Sequence, residues 1–200
     1  EGSTIPVPGN RLNYTLRQPL GVTVHIIPWN FPLQLAIRSI APALAAGCTV
    51  IAKPASWTPL SLLAWAKAME EAEVGLPSGV LQVITGSGGL IGDALAGHKG
   101  VDGIVLTGGV PTGQTVMAKA SENLTPVTLE LGGKSPNVYF NDVMDSSDAF
   151  ISRCVEGFLH AYFNQGEVCT CPSRAIIQED IYEPFIALVQ ERAALLNVGS

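Results

Sequence analysis

Short apolar runs alternate with longer segments of helical period through the first two thirds of the chain. Leu20 to Ile27 reads as a buried strand, ended by Pro28-Trp29-Asn30-Phe31-Pro32, whose two prolines enforce an extended, rigid turn. Leu33 to Ala46 has helical periodicity and stops at Gly47, after which Cys48 to Ala52 is a short strand with Lys53 just past its end. Ser56-Trp57-Thr58-Pro59 opens a second helix, Thr58 as cap and Pro59 in the first helical position, running to about Ala72. Past the turn Gly75 to Gly79, Val80 to Thr85 is a third strand, and Gly86 to Gly92 leads into a helix through about Ala96. Gly103 to Leu106 is a fourth strand, followed by the turn Thr107 to Gly113 and a helix to about Ser121. Repeated strand–turn–helix units of about 25 to 30 residues imply a parallel sheet with helices on its faces, and ligands of such sheets gather at the strands' carboxyl ends. Asn30, Lys53, Gly86 to Gly92 and Thr107 to Gly113 all fall at such ends.

The pattern then changes. Val127 to Leu131 is a further strand, and Gly132 to Pro136 turns it sharply into Asn137 to Phe140. A long helix is expected over Asp145 to Phe163, a strand over Arg174 to Gln178, and a helix from Asp180 to about Leu196. The polar stretch Arg11 to Pro19 reads as an arm without its own core, pairing outside the chain or with the following strand. No internal repeat or low-complexity segment appears.

Composition narrows the function classes. With 200 residues, 47% hydrophobic and 14% charged, the chain can bury a sizeable core. A net charge of −6 and only 11 Lys and Arg, none in a run, give no basic footprint for nucleic acid or for an anionic membrane surface. The start has no basic region followed by an apolar run, and no apolar stretch is long enough to span a bilayer, so a cytoplasmic protein is expected. Cys48, Cys154, Cys169 and Cys171 are read as reduced thiols, since a core of this size needs no disulfides. Cys169-x-Cys171 has no second Cys or His pair near it, so no metal site is expected.

Three residues stand out as candidate chemistry. Cys169 lies in Phe163-Asn164-Gln165-Gly166-Glu167-Val168-Cys169-Thr170-Cys171-Pro172-Ser173-Arg174, where Gly166 permits a tight backbone and Pro172 stops a helix from carrying the thiol away. Taken alone, the stretch leaves two readings open, a nucleophile or a buried structural cysteine. Asn30 is either a functional amide at a strand end or a turn-former and helix cap. Glu130 sits between two leucines; its carboxylate either reaches polar surroundings, has a raised pKa suited to base chemistry, or simply faces outward from the strand. Gly86-Ser87-Gly88-Gly89-Leu90-Ile91-Gly92 suggests a dinucleotide turn, but its spacing departs from the usual fingerprint. The turn before the fourth helix offers free N–H groups suited to a phosphate.

Several motifs in order along nearly the whole chain resemble the aldehyde dehydrogenase superfamily: Pro28-Trp29-Asn30-Phe31-Pro32, Lys53-Pro54-Ala55, Gly75 to Val80, Leu129-Glu130-Leu131-Gly132-Gly133-Lys134-Ser135-Pro136, and Phe163 to Arg174. The stretches Asn141 to Asp145 and Glu167 to Arg174 are most similar to the bacterial acetaldehyde branch. The resemblance implies a Rossmann-like NAD(P)-binding domain over 1–130 and, over 131–200, the start of a second α/β catalytic domain carrying the nucleophile. It implies that Cys169 attacks a small aldehyde, that Asn30 and the Cys169 N–H hold the oxyanion, and that Glu130 activates the water that hydrolyses the thioester. Lys53 would contact the adenosine ribose, and Thr107-Gly108-Gly109 would face the pyrophosphate. Gly86 to Gly92 would pack beside the nucleotide, and Ile26, Pro28, Trp29, Ala55, Ser56, Leu131 and Gly132 complete the implied contacts.

Two departures from the family pattern matter. Ser56 stands where NAD-preferring relatives often carry Glu, so the resemblance leaves NAD or NADP open, and Gly109 replaces a common serine. The resemblance covers the middle of a family member, which makes this chain a fragment and implies a homo-oligomer for the full-length protein. A CoA-acylating relative and a non-catalytic nucleotide-binding relative are the alternatives; the identity of the aldehyde is not set by these residues.

Overall fold

The computed structural model describes residues 2–72 and 75–199, and it divides into two compact units, Glu1–Leu131 and Gly132–Ser200. The first holds a five-stranded, all-parallel sheet of β1 (Val22–Ile26), β2 (Thr49–Lys53), β3 (Leu81–Val83), β4 (Gly103–Gly108) and β5 (Val127–Leu131), in the order β3-β2-β1-β4-β5. The chain starts in the middle of the sheet and winds first to one edge, then to the other, so the switch point lies between β1 and β4.

Helices cover both faces because the strands are apolar on both sides of the pleat, Val50 and Ala52 facing one way and Ile51 the other. On one face Val24, Ile104 and Leu106 pack with α3 (Asp93–Ala96) and α4 (Val110–Ser121) through Ala96, Val116 and Ala120. On the other, Ile27, Val50 and Ala52 pack with α1 (Pro32–Ala45) and α2 (Leu60–Glu71) through Leu35, Ile40 and Leu62. A Cβ on Gly113 would come within 3.0 Å of the Leu131 side chain, so glycine lets α4 sit close on β5.

Several expected boundaries shift. Lys53 is the last residue of β2 and is buried, not past the strand's end. The third strand keeps only Leu81–Val83 of Val80 to Thr85, being a single-sided edge strand, while β4 runs on through Thr107 and Gly108 because β5 pairs with both. Only Gly109 then separates β4 from α4. Thr58 does not cap α2: its Oγ1 is buried without a partner among the described residues, and the first helical bond runs from the Leu63 N–H to the Pro59 carbonyl at 3.1 Å. Residues of the arm pair backwards with the segment before them, the Ile5 and Thr15 N–H groups donating to Asn13 and Ser3, so the arm is one side of a hairpin.

The second unit carries β6 (Pro136–Tyr139) and β7 (Arg174–Ile177), a parallel pair, with α5 (Asp148–Leu159) and α6 (Tyr182–Ala193) packed around Tyr139, Phe158 and Phe185. The Tyr139 and Phe185 rings lie 4.6 Å apart. The helix expected over Asp145 to Phe163 is shorter at both ends. Ser147 marks its start, and after Leu159 the chain tightens into 3₁₀ turns and leaves helical geometry at Phe163.

Candidate active site

In the first unit, the carboxyl ends of β1 and β2, the glycine turn after β3 and the first turns of α4 enclose a cavity of about 350 Å³. Ile26, Lys53, Gly92, Thr112 and Thr115 are among its walls. Lys53 is 3% exposed, and burial pushes its amine below the usual lysine range. It donates to the Pro54 carbonyl at 3.1 Å, which engages one of its three N–H donors. Its stem lies beside Gly92, about where a Cβ would be in van der Waals contact, and Gly88 and Gly89 have open space where a side chain would stand. The glycine run itself is a π turn, Gly88–Gly92, leading directly into α3. Gly109 occupies the N-cap position of the 12-residue α4 with an extended backbone and, among the described residues, no side-chain cap; Pro111 has no N–H, so the helix begins on the N–H groups of Val110 and Thr112.

Ser56 and Gly86 meet nearby. The Ser56 hydroxyl donates to the Gly86 carbonyl at 3.0 Å and ties the loop after β2 to the loop after β3. Trp57, 83% exposed, stands 6.3 Å from Trp29 of the Pro28-Trp29-Asn30 turn. Pro28, Asn30 and Ala55 are half-buried in these loops. Phe31, not Asn30, takes the N-cap position of α1. Thr107 and Gly108 end β4, with Glu130 and Leu131 of β5 paired to them.

Glu130 is not buried between its leucines. Alternation sends Leu129 and Leu131 into the core beneath α4 and sends Glu130 to the opposite face of β5, where its side chain is about half exposed at 47%. There the Arg38 guanidinium of α1 meets it, Nη2 to Oε1, at 2.9 Å. Polar surroundings therefore account for this carboxylate, not enclosure.

The second unit holds the thiol. Cys169 is exposed, in a loop between the last 3₁₀ turn and β7. Asn164, Gln165 and Gly166 take three successive left-handed conformations, φ 48°, 63° and 76°. Asn164 tolerates this region and Gln165 carries a side chain that disfavours it, so the chain is bent sharply just before the thiol. Cys171 secures the loop from below: it is 2% exposed, and its thiol donates to the His160 carbonyl at 3.2 Å. The Cys171 N–H also donates to the Val168 carbonyl, closing a turn with Cys169 and Thr170 at its tip. The Arg174 Nε–H donates to the Lys134 carbonyl at 2.8 Å, joining the loop's exit to the segment that leads from Gly132 into β6.

Sequence reasoning passed over Arg38, Thr115 and the anchoring thiol of Cys171. Arg38 had a signal, since it is the one charge in α1. Thr112, Thr115 and Val116 share one face of α4 at helical spacing, but nothing in their types points to a ligand.

A doubly wound parallel sheet, a glycine-lined cleft at its switch point and an exposed thiol on a bent loop place the chain among α/β proteins with a nucleotide-type domain. The sequence model of the aldehyde dehydrogenase family matches residues 1–200, and the chain belongs to that family. It is 46% identical over 199 residues to an acetaldehyde dehydrogenase of Pseudomonas aeruginosa, covering the whole of this chain and 39% of that protein. An NAD+ complex of an aldehyde dehydrogenase from Bacillus cereus superposes with a TM-score of 0.91 at 38% identity, covering 100% of this chain and 39% of that one. An NADP-dependent enzyme of Escherichia coli superposes with a TM-score of 0.92, also at 38% identity, over 100% and 40% of the two chains. The chain thus spans about two fifths of the length of the relatives it matches.

Proposed function

We propose that this chain carries the nucleotide cleft and the nucleophile of an enzyme that oxidises a small aldehyde to a carboxylic acid with NAD or NADP. The observation that carries the reading is the glycine-lined cleft around buried Lys53, in a chain whose family is established. The cleft fits a dinucleotide: it has backbone where side chains would obstruct, a cationic donor in its wall, and the bare N-terminus of α4 for a diphosphate. Lys53 would hold the adenosine ribose, and the Gly109 end of α4 the pyrophosphate. Gly86 and Gly92 shape the turn beside it, and Ile26, Pro28, Trp29, Ala55, Ser56, Thr107, Gly108, Leu131 and Gly132 complete the proposed contacts.

Cys169, exposed and therefore accessible, would attack the aldehyde carbon as a thiolate, forming the C–S bond and an oxyanion. The Asn30 amide and the Cys169 backbone N–H would donate to that oxyanion. A bound nicotinamide supplies the hydride acceptor. The acyl group is left as a thioester on Cys169, and Glu130 would take a proton from the water that attacks it; the C–S bond then breaks, releasing acid and thiolate. Ser56 places no carboxylate beside the cleft, so a 2′-phosphate meets no repulsion from that position.

The test follows NADH and NADPH formation with acetaldehyde in the natural protein that carries this sequence. Cys169→Ala is expected to abolish turnover, and Glu130→Gln to give one burst and then stall. Full activity in Cys169→Ala would overturn the reading. Ser56→Glu is expected to depress use of NADP far more than use of NAD, through repulsion of the 2′-phosphate.

A further inference from the structure

Two isolated charges meet on the α1 face of the sheet. Arg38 is the single charged residue of α1, and Glu130 the single charged residue of β5. Neither helix nor strand needs a charge there for packing: α1 buries Leu35, Ala36 and Ile40, and β5 directs Leu129 and Leu131 into the opposite core. Nor does the pair contribute much to stability, because both side chains are about half exposed, 55% and 47%. What the contact does fix is direction. A carboxylate held at Oε1 by a guanidinium swings less freely about its side-chain bonds, and this single contact does not engage its second oxygen.

We propose that Arg38 is a positioning residue for Glu130, holding Oε1 and leaving Oε2 as the oxygen that takes the proton in the hydrolytic step. This rests on the reading of Glu130 as general base. The work of Arg38 is confined to the second half of the reaction, since Glu130 takes no part in forming the thioester. The contact is also open enough to be remade at each turnover: as Glu130 gains the water's proton its attraction for the guanidinium weakens, and it returns when the proton leaves.

The experiment separates the two halves in the natural protein. Burst formation of NADH from acetaldehyde reads thioester formation, and acid-quench trapping of acyl-enzyme made from radiolabelled acetaldehyde reads its decay directly, whichever step limits turnover. Arg38→Gln is expected to leave the burst rate unchanged and to slow acyl-enzyme decay about fivefold, the scale set by losing one half-exposed charged contact. Arg38→Lys, which keeps a donor of the same charge, is expected to restore decay to within about twofold. Adding Arg38→Gln to Glu130→Gln is expected to slow decay no further, because the guanidinium acts only through that carboxylate.

The proposal is overturned if Arg38→Gln decays at the parent rate, if it slows burst and decay alike, or if the double variant is slower than Glu130→Gln alone. Parent-like decay in Glu130→Gln would instead overturn the general-base reading, and this proposal with it. Arg38→Met, which keeps an aliphatic stem without the charge, gives the same comparison if Arg38→Gln melts below the assay temperature.

Discussion

The cleft of the first unit and the thiol loop of the second hold their functional groups in opposite ways. The cleft is backbone placed by a sheet: its walls are strand ends, a glycine turn and a helix start, and two apolar cores fix them from either face. The loop has no such scaffold. Its shape comes from three left-handed residues, one buried thiol and one arginine bond to a carbonyl. Side-chain changes that keep the strands apolar should therefore leave the cleft intact, whereas single changes in the loop should be felt at Cys169.

The largest effect expected tests how dry the scaffold of the first unit is. His25 of β1 is 1% exposed, its Nδ1 has no partner among the described residues, and burial holds its pKa down at about 4 against 6.5. The unfolded chain takes up this proton near 6.5 and the folded chain only near 4, so unfolding binds a proton in that window. Stability is then fully present above 6.5 and falls on acidification by up to about 3 kcal/mol. Denaturant titrations across that range should show this slope, and His25→Gln should remove it; an unchanged slope would mean that water or a partner reaches the ring.

A smaller effect sharpens the loop side. Cys171→Leu overfills the site beneath the thiol turn, and a loss of about 1–3 kcal/mol is expected in a thermal melt. Iodoacetamide alkylation of Cys169 should change severalfold in the same variant, while Cys171→Ser, which keeps a donor for the His160 carbonyl, should stay near the parent rate. Equal alkylation rates in all three would show that the loop does not depend on its anchor. The least effect is expected at the exposed ion pair between Arg192 and Glu156, 3.3 Å apart on α6 and α5. Arg192→Ala should shift stability by no more than about 0.5 kcal/mol, in keeping with half-exposed partners. A larger loss there would move the stability of the second unit from its aromatic core to its surface.

The sheet was legible because burial on both faces leaves strands as short apolar runs between glycine and proline turns, and β5 falls on Val127 to Leu131 as the pattern implies. The motifs placed Lys53 and the glycine turn at the strand ends where the cleft lies. What escaped was geometry without periodicity. Nothing in the polarity of His160 to Phe163 ends a helix, so the pattern carries the helix to Phe163, whereas α5 stops at Leu159. Thr58 has the chemistry of a cap, but its hydroxyl is turned into a buried position. Glu130 between leucines left polar surroundings, a raised pKa and an outward face all open, and the structure selects the outward, polar one.

The run of left-handed residues also limits how this segment can vary by descent. At positions 164 and 165 a valine, isoleucine or threonine would force a β-branched side chain into a region that admits few residues but glycine, asparagine and aspartate. Position 166 carries the same sign of φ and is already glycine. β-branched residues at 164 and 165, and any side chain at 166, are therefore the changes this bend tolerates least.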